Sequence, residues 1–460
     1  MKKLRFLMAL WAGKLCLWLW KITGNEQDDR PGMASLRLCD TFLEQVAKPK
    51  LTIVVTGTNG KTTITAMVAT MLREMGKTVA YNDWGANHNA GQARCLLDAV
   101  NIFNRPTKDA AVIEADELLS PINVPRINPQ YLIINNLARD SMLRNAHPEY
   151  IGEQLKKAAE LTPNAVVILN ADDPLSCFLG EQNRRVYFGV SDCGVTPPAH
   201  VVDDFAVCPR CGAKPEYRYR NYRHIGDFSC PDCGFCSPDR DYLLTDVSAD
   251  GKEVTLREKN EEHVYPLVSP ALHNVYNTAT VIALFRDMGV DADEIARCMK
   301  AVKLPASRET RQTVKGVELI THVCKGQNAT ATSTVFENIV KEPGEKEVIL
   351  LLDEVFDNPK KSETVAWIYD SDYEFLNDPH IRKIVVGGER YLDHHLRLLL
   401  AGVPEERLVC MRDPLVTAPY VNPEGLDRIF VLHDVNSITR GRMVRDAIKE
   451  RMLQEGAENV

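Results

Sequence analysis

The chain has 460 residues, 45% of them apolar and 26% charged, which is ordinary for a globular protein of about two to three domains. Its formal net charge of −8 argues against a nucleic-acid binder, because no global basic field exists to displace counterions from phosphates. Thirteen cysteines, four of them in two tight pairs, fit a reducing cytosol with a metal site rather than a disulfide framework.

At the N-terminus Lys2, Lys3 and Arg5 precede an apolar run from Phe6 to Trp20, and Lys21 follows. The run is about 15 residues, short of the roughly 20 that a spanning helix needs, and no small-residue cleavage site follows it. Two readings stand. The helix packs on the protein's own first domain, or its three Trp and flanking bases lie on a membrane surface.

Further along, strands and helices alternate. Leu51–Thr56 is a short β-rich run ending in a Gly-containing turn. Residues 62–75 then carry Ile64, Met67, Val68, Met71, Leu72 and Met75 at helical spacing, and Gly76 is the expected C-cap. Thr78–Tyr81, Ala110–Glu114, Tyr131–Asn135, Ala165–Leu169 and Arg185–Gly189 are continuous apolar runs, the pattern of a parallel sheet covered on both faces. Residues 200–240 break this rhythm as an inserted module, and 269–300 return to helix. A second α/β unit begins after Pro305, with strands expected at Val317–Thr321, Glu347–Asp353, Arg382–Val386, Arg407–Met411 and Arg428–Leu432, and a helix at Arg390–Ala401.

The segment Gly57-Thr58-Asn59-Gly60-Lys61-Thr62-Thr63 joins the first strand to the first helix of this alternation. Backbone N–H groups in such a turn and at the helix start point at an anion. Lys61 places a point charge on the β- and γ-phosphates, and the Thr62 hydroxyl can bind Mg²⁺. A general phosphate loop has Gly where this chain has Val55. Glu114 ends the third expected strand, where a carboxylate is placed to bind Mg²⁺. Asp116 and Glu117, just beyond it, read more simply as a solvated acidic turn. In the inserted module, Cys208-x₂-Cys211 and Cys230-x₂-Cys233 are separated by 18 residues, which matches a Cys₄ zinc ribbon with a structural metal. Cys236 competes with Cys233 for the fourth place, and Cys233 is favoured. Tyr217–Arg223, with bases and aromatics interleaved, reads as the ribbon's own hairpin in preference to a base-stacking surface.

The tighter Gly-Thr-Asn-Gly-Lys-Thr-Thr form resembles the Mur ligases and folylpolyglutamate synthetases. Glu114 resembles the Mur-ligase magnesium glutamate, and Asn135–Asp140 the segment after the fourth strand, with Ser141 where several peptidoglycan ligases have His. Leu272-His273-Asn274-Val275-Tyr276-Asn277 resembles a helix-opening motif that implies adenine contacts by Asn274 and Asn277. Ser307-Arg308-Glu309 implies an arginine clamp on the ATP phosphates. The ribbon, Arg30–Leu38, and Trp367-Ile368-Tyr369-Asp370-Ser371-Asp372-Tyr373-Glu374 narrow the resemblance to the MurT family, synthetase subunits that work with a GatD-like glutaminase.

That resemblance implies a central Mur-type ATPase domain over 51–304 with the ribbon inserted at 205–238. A helical segment over 1–50 precedes it, and a Rossmann-like α/β domain over 314–460 follows. It implies ATP, Mg²⁺ and Zn²⁺, and amidation of a D-glutamate α-carboxyl in lipid II by ammonia from the glutaminase partner. Lys61 and Glu114 would serve catalysis, and Asp353 would contact the ribose. Asp370, with Asp372 as runner-up, would orient the partner's His. The chain departs from the family at Lys325-Gly326-Gln327-Asn328-Ala329-Thr330, which lacks the family's Pro. A Mur-type ligase that joins an amino acid or other amine without a glutaminase is the alternative, and a non-catalytic nucleotide-binding scaffold the third.

Overall fold

The computed structural model describes residues 2–24, 28–82, 86–140, 147–195, 198–303, 309–324, 328–352, 365–434 and 437–454. They form two compact units. The first is built from the described residues of Met1–Ala138, Pro148–Pro198 and Asp203–Pro305, and the second from those of Arg139–His147, Ala199–Val202 and Ala306–Val460.

The first unit opens with three helices, α1 (Lys2–Ile22), α2 (Arg30–Leu38) and α3 (Phe42–Gln45). There follow β1 (Leu51–Thr56), α4 (Lys61–Glu74), β2 (Val79–Tyr81), α5 (Asn89–Ala99), β3 (Ala110–Glu114), α6 (Ser120–Ile127), β4 (Tyr131–Ile134), α7 (Pro148–Glu160), β5 (Val166–Asn170) and β6 (Arg185–Val190). The hairpin β7 (Glu216–Tyr222) and β8 (Ile225–Ser229) is inserted before β9 (Tyr242–Val247), β10 (Glu253–Glu258), β11 (Glu261–Pro266), α8 (Leu272–Asp287) and α9 (Ala292–Met299).

Nine strands make one sheet in the order β11-β10-β9-β6-β5-β4-β1-β3-β2. It is parallel from β2 to β9, and only β9, β10 and β11 pair antiparallel. The strands are apolar on both faces because both faces are covered. Ile53, Val55, Val112 and Ile133 pack against α4, α8 and α9. Val54, Ile113, Leu132 and Ile134 pack on the other side against α1, α3, α5, α6 and α7. The sequence pattern does not anticipate β9 to β11. Val254 and Leu256 are buried there while Arg257 is exposed, so this edge has one wet face and reads as mixed polar sequence.

The N-terminal helices are not a separate unit. Phe6, Leu10, Phe42 and Leu43 belong to the same buried cluster as Val54 and Ile113, so α1 packs on its own domain by one face.

The second unit contains β12 (Glu309–Val314), β13 (Val317–Cys324), α10 (Ala329–Lys341), β14 (Lys346–Leu351), α11 (Ala366–Asp370), β15 (Ile381–Gly387), α12 (Tyr391–Leu400), β16 (Leu408–Met411), β17 (Arg428–Asp434) and α13 (Ile438–Gln454). Its six strands run β12-β13-β17-β14-β15-β16, parallel except for the β12–β13 hairpin. Ile320, Val348, Leu350 and Phe430 face α10, α11 and α12, while Leu319, Ile349 and Val431 face α13.

The two faces of α1 differ in what truncation should cost. Leu10 is 0% and Leu15 58% exposed. Leu10→Ala is expected to lower unfolding stability by about 2–5 kcal/mol, and Leu15→Ala to change it by less than about 0.5 kcal/mol. Denaturant titration of both variants checks this, and equal losses would mean α1 is not part of the core.

Candidate functional site

The turn after β1 lies where the strand order reverses: β3 and β2 extend the sheet to one side of β1, and β4 and β5 to the other. Such a crevice at the carboxyl ends of parallel strands is where ligands bind in open α/β sheets. Gly57 and Gly60 have φ of +115° and +88°. A Cβ on Gly57 would stand 2.8 Å from the Asn136 carbonyl oxygen, and one on Gly60 2.4 Å from Asn277 Oδ1. Both positions therefore need Gly for φ and for space.

The loop is docked by its backbone onto the segment that leaves β4. Thr58 N–H donates to the Asn136 carbonyl at 2.8 Å, and Asn59 N–H to Asn136 Oδ1 at 3.1 Å. Asn135 and Asn136 Nδ2 each donate to the Asn59 carbonyl at 3.1 Å. Ala138 N–H donates to Thr58 Oγ1 at 3.0 Å. These contacts hold the loop in a shape whose helix start, at Lys61, opens α4.

Lys61 is buried and folded back over the loop. Its Nζ donates to the Gly57 carbonyl at 2.5 Å and to Glu117 Oε1 at 2.7 Å. Thr62 and Thr63 at the helix start stay partly exposed. Glu114 is buried at the end of β3, paired in register with Val55 of β1. Asn82 fixes its backbone, accepting from Glu114 N–H at 2.7 Å and donating to its carbonyl at 3.0 Å. Asp116 accepts from Leu118 N–H at 3.0 Å and so caps the turn before α6.

The amides of α8 reach this place too. Asn277 Oδ1 accepts from Asn135 Nδ2 at 3.1 Å, and Asn277 Nδ2 donates to Asn274 Oδ1 at 3.4 Å. Both Asn residues are buried. Asn277 thus supports the phosphate loop through Asn135, in a chain of amides running from Asn59 through Asn135 and Asn277 to Asn274.

Three residues that the sequence pattern does not single out complete the support. Glu117 holds Lys61. Asp173 and His224 clamp Leu137: Asp173 Oδ2 accepts from Leu137 N–H at 2.8 Å, and His224 Nε2 meets the Leu137 carbonyl at 2.8 Å. Burial opposes a charge on His224 most strongly, but the Asp173 carboxylate, Asp204 and the Leu137 carbonyl together raise its pKa. His224 sits in the turn between β7 and β8, so the inserted hairpin reaches the segment that holds the loop. The only sequence signal is the adjacent carboxylate pair Asp172 and Asp173 just past β5; in the fold both are 0% exposed and so require fixed partners.

The inserted module brings Cys208, Cys211, Cys230 and Cys233 together, with all four Sγ atoms within 4.8 Å of one another. Tetrahedral zinc with Zn–S of about 2.3 Å places sulfurs about 3.8 Å apart, and here Cys208–Cys233 is 3.6 Å and Cys211–Cys230 3.4 Å. The two knuckles repeat one geometry. Gly212 N–H bonds the Cys208 carbonyl at 2.8 Å, and Gly234 N–H the Cys230 carbonyl at 3.0 Å. Cys236 is not part of the group; it pairs by backbone with Ser229. Tyr217–Tyr222 lie in β7, and Phe205, Phe228 and Phe235 form the core beneath the cysteines.

In the second unit, Asp370 pairs with Arg139 at 3.0 Å, its side chain 23% exposed. Asp372 is buried, accepting from Val201 N–H at 2.7 Å and meeting His200 Nδ1 at 2.8 Å. Asn328 caps α10 through Ala331 N–H at 2.8 Å and donates to Asp140 at 2.8 Å. Arg308 and Asp353 lie outside the described residues.

The clamp on Leu137 predicts a measurable effect. His224→Ala is expected to weaken binding of a fluorescent ATP analogue by about 5- to 30-fold, the equivalent of one or two lost hydrogen bonds. Lys214→Ala, on the exposed rim of the ribbon, should leave affinity unchanged. Unaltered affinity in a folded His224→Ala protein would sever the link between ribbon and loop.

Two family models match the chain, the Mur ligase middle domain over residues 55–201 and the MurT ligase C-terminal domain over 326–431. The chain is 29% identical over 384 residues to the MurT subunit of lipid II isoglutaminyl synthase (glutamine-hydrolyzing) from Streptococcus pneumoniae, covering 82% of this chain and 83% of the relative. It is 28% identical over 412 residues to the subunit of the same name from Staphylococcus aureus, covering 88% and 90%. Among solved structures, a pseudomurein peptide ligase type C from Methanothermus fervidus superposes with TM-score 0.67 at 18% identity, covering 97% of this chain and 98% of that one. MurF from Acinetobacter baumannii superposes with TM-score 0.64 at 15% identity, covering 91% and 81%; at these identities the likeness is one of fold. With the phosphate loop, the ribbon and the second α/β unit in place, the chain belongs to the MurT family of Mur-type ligases.

Proposed function

We propose that this chain activates a carboxylate with ATP and amidates it with ammonia. The acceptor is the α-carboxyl of D-glutamate in the lipid II stem peptide and the product D-isoglutamine, as the names of the MurT relatives suggest. The main support is the pairing, in one chain, of the docked Gly57–Thr63 loop with a MurT C-terminal domain match. A carboxylate is a poor acyl donor. Its acyl phosphate carries a good leaving group, which ammonia displaces.

In this reading the loop's N–H groups hold the ATP phosphates, and Lys61 exchanges Glu117 for the β- and γ-phosphates. Thr62 and Glu114 would hold Mg²⁺, which neutralises phosphate charge. Arg308 would clamp the phosphates and Asp353 the ribose, while Asn274 and Asn277 would contact the adenine end of ATP. Cys208, Cys211, Cys230 and Cys233 would hold a structural Zn²⁺. Ammonia comes from a GatD-like glutaminase in a heterodimer. Asp370 is favoured over Asp372 as the residue that orients the partner's His. Asp370 is partly exposed, and the desolvation that fixes a buried pair does not lock it to Arg139. Asp372 is enclosed and already doubly bonded. The reaction would take place in the cytoplasm at the membrane face that carries lipid II.

The test is incubation with ATP, glutamine, lipid II and the glutaminase subunit, read by mass for amidation. Lys61→Ala is expected to lower the rate by about 10²- to 10³-fold with any nitrogen source. Asp370→Asn is expected to lower only the glutamine-driven rate, by about 10²- to 10⁴-fold, and to leave the ammonium-driven rate intact. Amidation that needed a free amino acid in place of ammonia would instead favour a ligase acting without a glutaminase.

Zinc is checked separately by elemental analysis of the purified chain. One zinc per chain is expected in the wild type and in Cys236→Ser. Cys233→Ser should lose it, with a lower melting temperature. Zinc lost from Cys236→Ser and retained in Cys233→Ser would reassign the fourth ligand.

A further inference from the structure

Helix α1 is apolar almost all round, and a helix of that kind is normally enclosed on every side. Here the protein covers one side only. Phe6, Ala9, Leu10, Gly13 and Leu17 are buried. Leu4, Met8, Trp11, Leu15, Trp18 and Ile22 are each 47–64% exposed. At 3.6 residues per turn these six fall within an arc about 80° wide, a continuous stripe along the full helix. The loop beside it extends the stripe. Trp11 Nε1 donates to the Ile102 carbonyl at 3.0 Å, and the next residue, Phe103, is 73% exposed.

The charges carried by α1 itself are of one sign, with Asp98 of α5 paired to Lys21 at 3.3 Å. The 21 residues of α1 contain no Asp or Glu, although the whole chain carries a net charge of −8. On the same helical projection Lys3, Lys14 and Lys21 border the stripe on one side and Arg5 on the other. The charged groups nearest Lys14 are Asp98, Lys21, Arg94 and Lys108, one acid among three bases.

We propose that this face of α1, with Phe103, rests on a lipid bilayer surface that carries anionic headgroups. The proposal rests on the reading above for one point only, that the substrate is a membrane lipid. Trp side chains suit the headgroup boundary, and bases beside the stripe meet anionic lipid. A second copy of the helix fits worse. It would set the same bases against each other with only Asp98 near them, already paired to Lys21, around two Trp too bulky for a close seam. Among the described residues no helix is long and apolar enough to cross a membrane, so the contact is one of lying on the surface.

The experiment is vesicle flotation of the full chain without ATP or lipid II. The chain is expected to float with vesicles of mixed phosphatidylglycerol and phosphatidylcholine, and several-fold less with phosphatidylcholine alone or in about 0.5 M salt. The double variant Leu15→Ser/Trp18→Ser should float at least about tenfold less. Leu392→Ser/Leu400→Ser, which alters exposed leucines of α12, should float like the wild type. Failure of the wild type to float, or flotation of the α1 variant, overturns the proposal. So does a wild-type dimer in light scattering that the α1 variant abolishes while neither floats, because the face is then a self-interface. Amidation of a water-soluble muropeptide precursor, measured on the same proteins, separates this from the catalytic reading. Activity without flotation sinks the docking, and flotation without activity sinks the catalysis.

Discussion

The first unit depends on one backbone contact, the docking of residues 57–59 onto residues 135–138 as these leave β4. A phosphate loop works only if its N–H groups converge on one point, and a Gly-containing turn does not hold such a shape unaided. Here the carbonyl and amide of Asn136, the amide of Asn135 and the hydroxyl of Thr58 impose it. The close approach at Gly57 leaves no room for a side chain, so the same contact that shapes the loop also dictates its composition. Once the loop is placed, Lys61 follows, because α4 starts there and returns the ammonium over the turn to Glu117.

The docking segment needs its own support, and that support is polar and buried. Asp172 and Asp173 are adjacent and lie at the end of β5. Asp173 serves Leu137, Leu175 and Ser176. Burial raises the pKa of Asp172, and Arg240 and Tyr276 oppose that by bonding its carboxylate. Removing one partner from such a network leaves a buried group unpaired, which costs more than the bond itself is worth. The inserted hairpin contributes to both halves. His224 reaches Leu137, and Asn221 donates to Tyr276 at 2.9 Å. The Cys₄ cluster closes the far end of that hairpin. A metal held there would stiffen the module at the end opposite the turn that bears His224.

α1 shows the same economy on a larger scale. One face completes the core against α2, α5 and the sheet, and the opposite face is equally apolar and open to solvent. Were the acceptor lipid-linked, as proposed, such a face would hold the enzyme at the surface where that substrate lies.

Local spacing made much of this protein legible. Continuous apolar runs marked the parallel strands because strands covered on both faces have no polar side. Gly-Thr-Asn-Gly-Lys-Thr-Thr marked the loop because its φ values and close approaches admit few residues. Two Cys-x₂-Cys pairs marked the ribbon because each knuckle is a short local turn. What the sequence could not decide is what depends on distant residues meeting. The β9–β11 edge has one wet face and no clear period. Glu117 read as a solvated turn until the fold carried it to Lys61, 56 positions away. That Asn277 also lies against Gly60 and bonds Asn135 became visible only when α8 was placed. Asp370 and Asp372, two positions apart, differ in burial in a way that spacing does not reveal, Asp372 bonded on both oxygens and Asp370 within reach of solvent. Chemistry confined to a few consecutive residues was determined by sequence. Partnership and burial were decided by tertiary structure, because they are properties of where the chain returns to itself.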